Sequence, residues 1–355
     1  MEEKKENGVL LDLMQRAAFS VESGVITHVN AAASRYLLRP GMEIAPMLAT
    51  GKEEYAERAA QLLYLTLNLE GCTLGATVAH TTDADIFVLE ESADTAQLQT
   101  LALAAMELRQ PLASAIAMAE RLLPNANPKQ QDAAAQLNRR MMQLQRIIGN
   151  MSDGVDSMQS NARLMESMEI CGFLEELLAK TKEALSHAGI TLHYDLPQDR
   201  IYTLANPQKL ERAVYNMLSN AAKFSPPDGK IQVQLARHGK RLAFSVTDQG
   251  QGIPAGSDIF SRYLRQPALE DPRFGLGLGM LMIRSSAALH GGAVLIDHPN
   301  GAGTRVTMTL TITKGHSTDL RSPAFRIDYA GERDHCLLEL SDVLPPALYR
   351  MDAAK

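Results

Sequence analysis

Four short segments between residues 206 and 304 gather the side chains that handle phosphate and divalent metal: NMLSNAAKFS (216–225), DQGQGIP (248–254), GLGLG (275–279) and GAGT (301–304). Asn216 and Asn220 stand one helical turn apart, so both amides share a face. Mg²⁺ takes hard oxygen ligands and keeps several waters beside nucleotide phosphates, and an Asn carbonyl serves there without adding charge. Lys223 reaches a phosphate from the same side. Asp248 ends a strand-like run, and a buried carboxylate is costly unless hydrogen-bonded, for which an exocyclic amine such as that of adenine is a suitable partner. Gly250 and Gly252 let backbone approach a base closely. Gly275, Gly277 and Gly279 lead into a helix, where successive amides make an anion site. Each segment alone has a plainer explanation: a polar helix face, a strand-end turn, a flexible loop.

The elements that must position these residues can be read from 170 to 314. CGFLEELLAKTKEALSHAG is a helix closing at Gly189, and ITLHYDL is a strand. Asn206 caps a helix with Pro207 in its first position. IQVQLA, LAFSVTD, AVLID and TRVTMTLTI read as strands, and GMLMIRSSAALHGG as a helix ending in glycines. A mixed sheet with helices on one face fits this order.

Upstream, Leu98, Leu101, Ala105, Leu108, Leu112, Ala115, Ala119 and Leu122 alternate three and four apart, as do Leu137, Met141, Leu144, Ile148, Met151, Val155 and Met158. This is the seam of two bundle helices, separated by PNANP (124–128). A single helical hairpin leaves its seam half covered, which predicts a homodimer through a four-helix bundle. Pro111 is expected to kink the first helix. Before the hairpin, AFSVESGVITHVN (18–30) reads as two strands about a turn, with a helix at 53–63 and apolar runs at 62–69, 72–79 and 86–90.

Taken in order, with IFSRYLR (259–265) and LHGG (289–292) between them, the four segments resemble the ATP-binding half of a sensor histidine kinase, a branch of the Bergerat-fold ATPases. The resemblance implies ATP and Mg²⁺ as ligands. It makes Asn216 and Asn220 the Mg²⁺-proximal asparagines, Lys223 a phosphate contact and Asp248 the adenine reader, with Gly250 and Gly252 lining the base pocket. Gly275, Gly277 and Gly279 would face the phosphates, and Thr304 would support the glycine turn. Arg262 and Arg265 match the start of a nucleotide lid over 266–274, although surface arginines explain them equally. Gln249 and Gln251 replace the usual Asn and Pro without removing a ligand. SGVITHVNAAA resembles the opening of a PAS sensory domain; a small α+β dimerisation domain remains the alternative.

The family's phosphorylated helix carries His-Glu-x-x-(Thr/Asn)-Pro-Leu, and residues 106–112 here read MELRQPL. Glu107, the acid that assists proton handling in the family, is retained with Pro111 and Leu112, but Met106 stands at the phosphoacceptor position. A thioether has no proton to lose and is a poor nucleophile toward phosphorus, whereas neutral imidazole offers a nitrogen lone pair. None of the nine histidines falls on either bundle helix. Gln110 also departs from the Thr/Asn linked in the family to dephosphorylation of a partner. At the end of LHGG, His290 is expected to cap a helix.

Bulk properties narrow the classes further. A formal charge of -6 gives no basic footprint for nucleic acid, and no apolar run reaches a membrane span. The N-terminus lacks a secretory apolar stretch, and the three cysteines form neither a CxxC pair nor a disulfide framework, so a reducing cytoplasm is expected. Seventeen Met against eight Phe and no Trp suit apolar seams that rearrange.

The expectation is an α+β multidomain chain. Residues 1–92 would be a PAS-like α/β domain, 93–168 a dimerisation hairpin with a degenerate His box, 169–314 a Bergerat-type α/β sandwich that binds ATP, and 315–355 an extension ending in an added hairpin from FRIDY and LLEL. The resemblance implies two-component signalling with a response regulator receiver domain as partner. A pseudokinase follows from Met106, with a nucleotide-gated scaffold or heterodimerisation partner, or an active kinase with an unusual acceptor, as alternatives. A purely structural dimer would have no reason to keep Asn220, Asp248 and the glycine triplet together.

Overall fold

A computed structural model describes residues 11–58, 60–90, 92–122, 130–156, 165–252, 278–299, 303–313 and 333–350. The PNANP break, Arg262, Arg265, the 266–274 lid, Gly275, Gly277 and FRIDY lie outside them. The chain is α+β.

The N-terminal strands follow the alternation of the sequence. β1 (Ala18–Glu22) and β2 (Val25–Val29) form a hairpin, and the intervening Ser23 and Gly24 both adopt positive φ, 50° and 81°. Left-handed residues at both turn positions match the twist of the strands they join. The helix expected over 53–63 is shorter: α1 spans Lys52–Glu57 and stops where Arg58 turns left-handed at φ 47°. The apolar run that follows belongs to β3 (Leu62–Leu69), which pairs with β4 (Cys72–His80); β4 in turn pairs with β5 (Asp85–Leu89). One core packs these strands, with Phe19 and Phe87 stacked at 4.8 Å.

Two long helices follow, α2 (Ser92–Leu122) and α3 (Gln131–Asp156). Pro111 lies inside α2 without ending it. The seam residues split into two sets: Ala105, Ala119, Met141, Ile148 and Met151 are buried, while Leu108, Leu137 and Leu144 are exposed. Leu103, Met118 and Ile147 add to that uncovered apolar face.

The C-terminal half begins with β6 (Glu166–Glu169) and α4 (Ile170–Ser186), where the Glu169 carboxylate caps the amides of Cys171 and Gly172. Then come β7 (Thr191–Asp195), β8 (Tyr202–Ala205) and α5 (Pro207–Phe224), the last capped by Asn206 onto Lys209. β9 (Lys230–His238), β10 (Arg241–Thr247), α6 (Leu278–Leu289), β11 (Val294–Asp297) and β12 (Arg305–Thr311) complete it.

The sheet does not end with these strands. Its order is β2-β1-β5-β4-β3-β11-β12-β10-β9-β7, ten strands, because β11 pairs antiparallel with β3 through Leu62, Leu63 and Tyr64. Only β7 with β9 is parallel among its pairs. Side chains reinforce the junction. Arg241 of β10 meets Glu53, Glu54 and Glu57 of α1, and Thr309 donates to Glu54 at 2.7 Å. Arg284 of α6 pairs with Glu90 at 2.7 Å and lies 4.4 Å from the centre of the Tyr64 ring.

The tail departs from its expected hairpin. LLEL lies mostly in a short helix, α7 (His335–Glu339), because Asp334 caps it by accepting from Leu337 N at 3.0 Å. Cys336, Leu338, Leu340, Leu344 and Tyr349 enter the same core as α4 and α5. Among the described residues no helix is long and apolar enough to cross a membrane.

Candidate nucleotide site

Helix α5 is buried on nearly all sides. Leu210, Ala213, Val214, Met217, Leu218 and Ala221 join the sheet core. The polar face, Arg212, Asn216, Asn220 and Lys223, points away from that core at a spacing of three to four residues. Asn216 is only 1% exposed; its amide donates to the Arg212 carbonyl at 2.8 Å and its oxygen receives Arg146 from α3 at 3.4 Å. Asn220 is half-buried one turn further on.

The glycines explain how the segments close on one another. A Cβ on Gly279, in the first turn of α6, would stand 2.8 Å from the Asn216 Oδ1, so only glycine lets the end of the GLGLG segment approach that amide. A Cβ on Gly250 would lie 2.5 Å from the Phe224 carbonyl oxygen, which ties the DQGQG turn to the C-terminus of α5. Gly303 adopts φ 73°, and a side chain there would collide with the Asp248 carbonyl. Three of the four segments therefore meet α5 or one another through contacts that exclude a Cβ.

Asp248 is 9% exposed just beyond β10. Its Oδ1 accepts from Gly250 N at 2.7 Å and Thr304 N at 3.3 Å. Thr304 thus supports the carboxylate through its backbone, and Asp248 N returns a bond to the Thr304 carbonyl at 3.0 Å. Burial raises the Asp248 carboxyl above its ordinary range, and these amides and His298 offset only part of that. Gly252 takes φ 76° beside His298, whose ring nitrogen lies 2.8 Å from the Gly303 carbonyl.

His290, past the far end of α6, meets the opposite end of α5. Its Nδ1 donates to the Ser286 carbonyl at 2.6 Å, leaving Nε2 to accept from Asn206 N at 3.0 Å, so it fixes the start of α5. Burial lowers its pKa, consistent with the neutral ring this pattern needs.

The cationic end of the site includes residues that sequence reasoning missed. Lys223 forms an ion pair with Asp342 at 2.5 Å, and Arg146 meets Asp342 at 2.7 Å and Glu339 at 3.0 Å. Arg212 faces Glu339 at 3.4 Å and donates to Asn150 of α3 at 2.6 Å. Burial lowers the Lys223 pKa, with Arg146 adding to it and Asp342 opposing. Burial alone would raise the Asp342 carboxyl, but Arg146, Lys223 and Arg139 outweigh it and hold it below the usual range. Arg212 could have been found, since it precedes Asn216 by one turn; Arg146, Glu339 and Asp342 carry no local signal.

Met106 is 63% exposed on α2, beside fully buried Ala105, and Glu107 is exposed next to it. α6 packs Leu278, Leu281 and Met282 against Ala105, Ile148 and Met151 of the hairpin.

Residues 205–314 match the family described as histidine kinase-, DNA gyrase B-, and HSP90-like ATPase. "Adaptive-response sensory kinase SasA" of Synechocystis sp. is 27% identical over 226 residues, 60% of this chain and 59% of that protein. "Circadian input-output histidine kinase CikA" of Synechococcus elongatus is 27% identical over 234 residues, 63% of this chain and 31% of that protein. "Histidine protein kinase DivJ" of Caulobacter vibrioides is 35% identical over 127 residues, 35% of this chain and 21% of that protein. Among solved structures, full-length ShkA in complex with AMPPNP is 23% identical with a TM-score of 0.48, over 61% of this chain and 47% of that one. The chain spans between 12% and 59% of the curated relatives' lengths.

Proposed function

We propose that this chain, a relative of the sensor histidine kinases with their ATPase domain at 205–314, binds Mg-ATP and signals by nucleotide occupancy rather than by phosphorylating itself. The observation that carries the reading is that Gly250 and Gly279 close on α5, and Gly303 on the Asp248 backbone, through approaches that leave no room for a Cβ. In this reading adenine donates its amine to Asp248, whose two described hydrogen bonds both land on Oδ1. Gly250 and Gly252 bound the base, and Lys223 with the amides leading into α6 meets the phosphates. Mg²⁺ would be held through Asn220, with Asn216 behind it, and would neutralise phosphate charge. Arg262, Arg265, Gly275 and Gly277 belong to the same proposal by sequence order.

Residues 1–92 are read as a PAS-like input region, 93–168 as the dimerising hairpin, 169–314 as the ATPase and 315–355 as an extension. The exposed Leu103, Leu108, Met118, Leu137, Leu144 and Ile147 supply the apolar face for a second copy. A response regulator receiver domain is the partner class, in the cytoplasm. Met106 favours a second form of the reading, a nucleotide-gated scaffold that docks a regulator or pairs with a complete kinase.

Incubation with γ-labelled Mg-ATP, wild type beside Asn220→Ala, tests this. Bound nucleotide without retained label, and no binding by the variant, is the expected result. Label that survives alkali but not acid would refute the pseudokinase reading; absence of nucleotide binding would refute ATP itself.

A further inference from the structure

The tail does more than extend the core. Residues 333–350 lie across the end of α5 that carries Asn216, Asn220 and Lys223, and they bring two carboxylates to the cations of that site. Asp342 holds Lys223 and Arg146 together; Glu339, 0% exposed, stands between Arg146 and Arg212. Carboxylate oxygens on guanidinium and ammonium groups are chemically close to phosphate oxygens on the same groups.

We propose that residues 333–350 are a built-in competitor for the nucleotide's phosphates, with Glu339 and Asp342 holding Arg146, Arg212 and Lys223 until a polyphosphate displaces them. This rests on the ATP reading above and adds regulation to the same site.

Leu338, Leu340, Leu344 and Tyr349 anchor the segment in the core, so what can yield is its carboxylate contacts. Glu339 Oε1 faces Arg212 Nε at 3.4 Å without a hydrogen bond, and neither that oxygen nor the buried Ser341 Oγ has a hydrogen-bond partner among the described residues. Buried polar atoms left this way work against the closed arrangement. A triphosphate brings more charge to the same cations and lets the carboxylates return to water.

The segment is also held by the hairpin. Arg139 of α3 donates to the Ser341 and Asp342 carbonyls at 2.8 and 3.0 Å, Gln143 to Ser341 at 2.9 Å, and Asn138 to the Tyr349 carbonyl at 2.9 Å. One strap thus covers the phosphate cations and fastens α3 to the ATPase core. Release of Glu339 and Asp342 frees Lys223 and Arg146 and shifts the Ser341 and Asp342 carbonyls that hold α3 in the same event. Nucleotide occupancy then reaches the helices without any phosphoryl transfer, which is what a chain with Met106 at the acceptor position requires.

The test uses the full chain and a fluorescent trinitrophenyl-ATP with Mg²⁺. If the strap-closed form dominates, apparent affinity is reduced by the small open fraction, and weakening the strap recovers it. Asp342→Asn removes one carboxylate from a partly exposed position, and the expected result is binding about tenfold tighter or more than wild type. Hydrogen exchange of wild-type residues 335–349 gives a measure independent of any variant, and Mg-ATP should accelerate it. Equal affinities with unchanged exchange would overturn the competitor while leaving ATP binding intact. No binding by either protein, with the Asp342→Asn strap already open by exchange, would overturn both readings.

Discussion

Replacing Asp248 by Asn separates a base-reading carboxylate from a structural turn. Oδ1 of Asp248 accepts from Gly250 N and Thr304 N at 2.7 and 3.3 Å, and an asparagine keeps one oxygen for both. What it loses is the second oxygen, exchanged for an NH₂ that cannot accept from the adenine amine. The lost charge-assisted bond is worth about 1.5–3 kcal/mol, which lowers Mg-ATP affinity about 10- to 150-fold.

Stability should move the other way or not at all. Burial raises the Asp248 pKa, so its contribution to stability is fully present below the unfolded value and is lost as pH rises through the folded one. At pH 7 the ionised carboxylate is therefore a cost that Asn removes. Asp248→Ala instead strands two amides at about 1–3 kcal/mol each, lowering Tm by about 2–4 °C for each kcal/mol in a domain of this size. Titration calorimetry with Mg-ATP beside thermal unfolding of both variants decides. Unchanged affinity in Asp248→Asn, or a Tm loss in it equal to that of Asp248→Ala, would refute the argument.

Met106→His places imidazole at an exposed position, so folding should be unaffected, and alkali-stable label from γ-labelled ATP should appear if the ATPase can deliver it; an unlabelled but ATP-binding variant would show that delivery is also lost. Gly279→Ala sets a Cβ 2.8 Å from an Asn216 amide already committed to the Arg212 carbonyl, so it should cost about 1–3 kcal/mol by denaturant unfolding and weaken nucleotide binding. Arg284→Ala removes the partner of Glu90 and the cation over Tyr64, and unfolding should register a loss of about 3 kcal/mol. The Asp342 carboxyl is held below its ordinary value of 3.8, so its stabilising contribution is complete above that value and is lost as pH falls through the folded one. Protection of residues 335–349, corrected for intrinsic exchange, should persist from pH 7 down to about pH 4 and fall below it.

What was legible in the candidate site is its local geometry. Asn216 and Asn220 share a helix face by spacing, and Gly250, Gly279 and Gly303 mark places where a Cβ has no room. Asn206 and Pro207 announced the start of α5 in the same way. The strap was not legible, since Arg146 and Asp342 lie 196 positions apart and nothing in either neighbourhood selects the other. LLEL looked like a strand because four residues cannot separate the two periods; the cap at Asp334 was the available signal. The junction of β3 with β11 was hidden for a related reason. LLYLTLNL and AVLID both read as strands, but an apolar alternation does not name the edge it will pair with.

That junction sets the order of events when the chain is made. Leu63 and Leu295 pair although 232 positions separate them, so β3 leaves the ribosome with one edge unsatisfied. At about 5–20 residues per second, its partner arrives roughly ten to fifty seconds later. For that interval a long apolar strand presents open backbone, the form of surface that recruits other nascent chains. A fragment ending near residue 92 would remain in that condition permanently, and one beginning near residue 169 would carry the complementary bare edge at β11. Mixing the two should restore the pairing in trans, whereas each alone should self-associate.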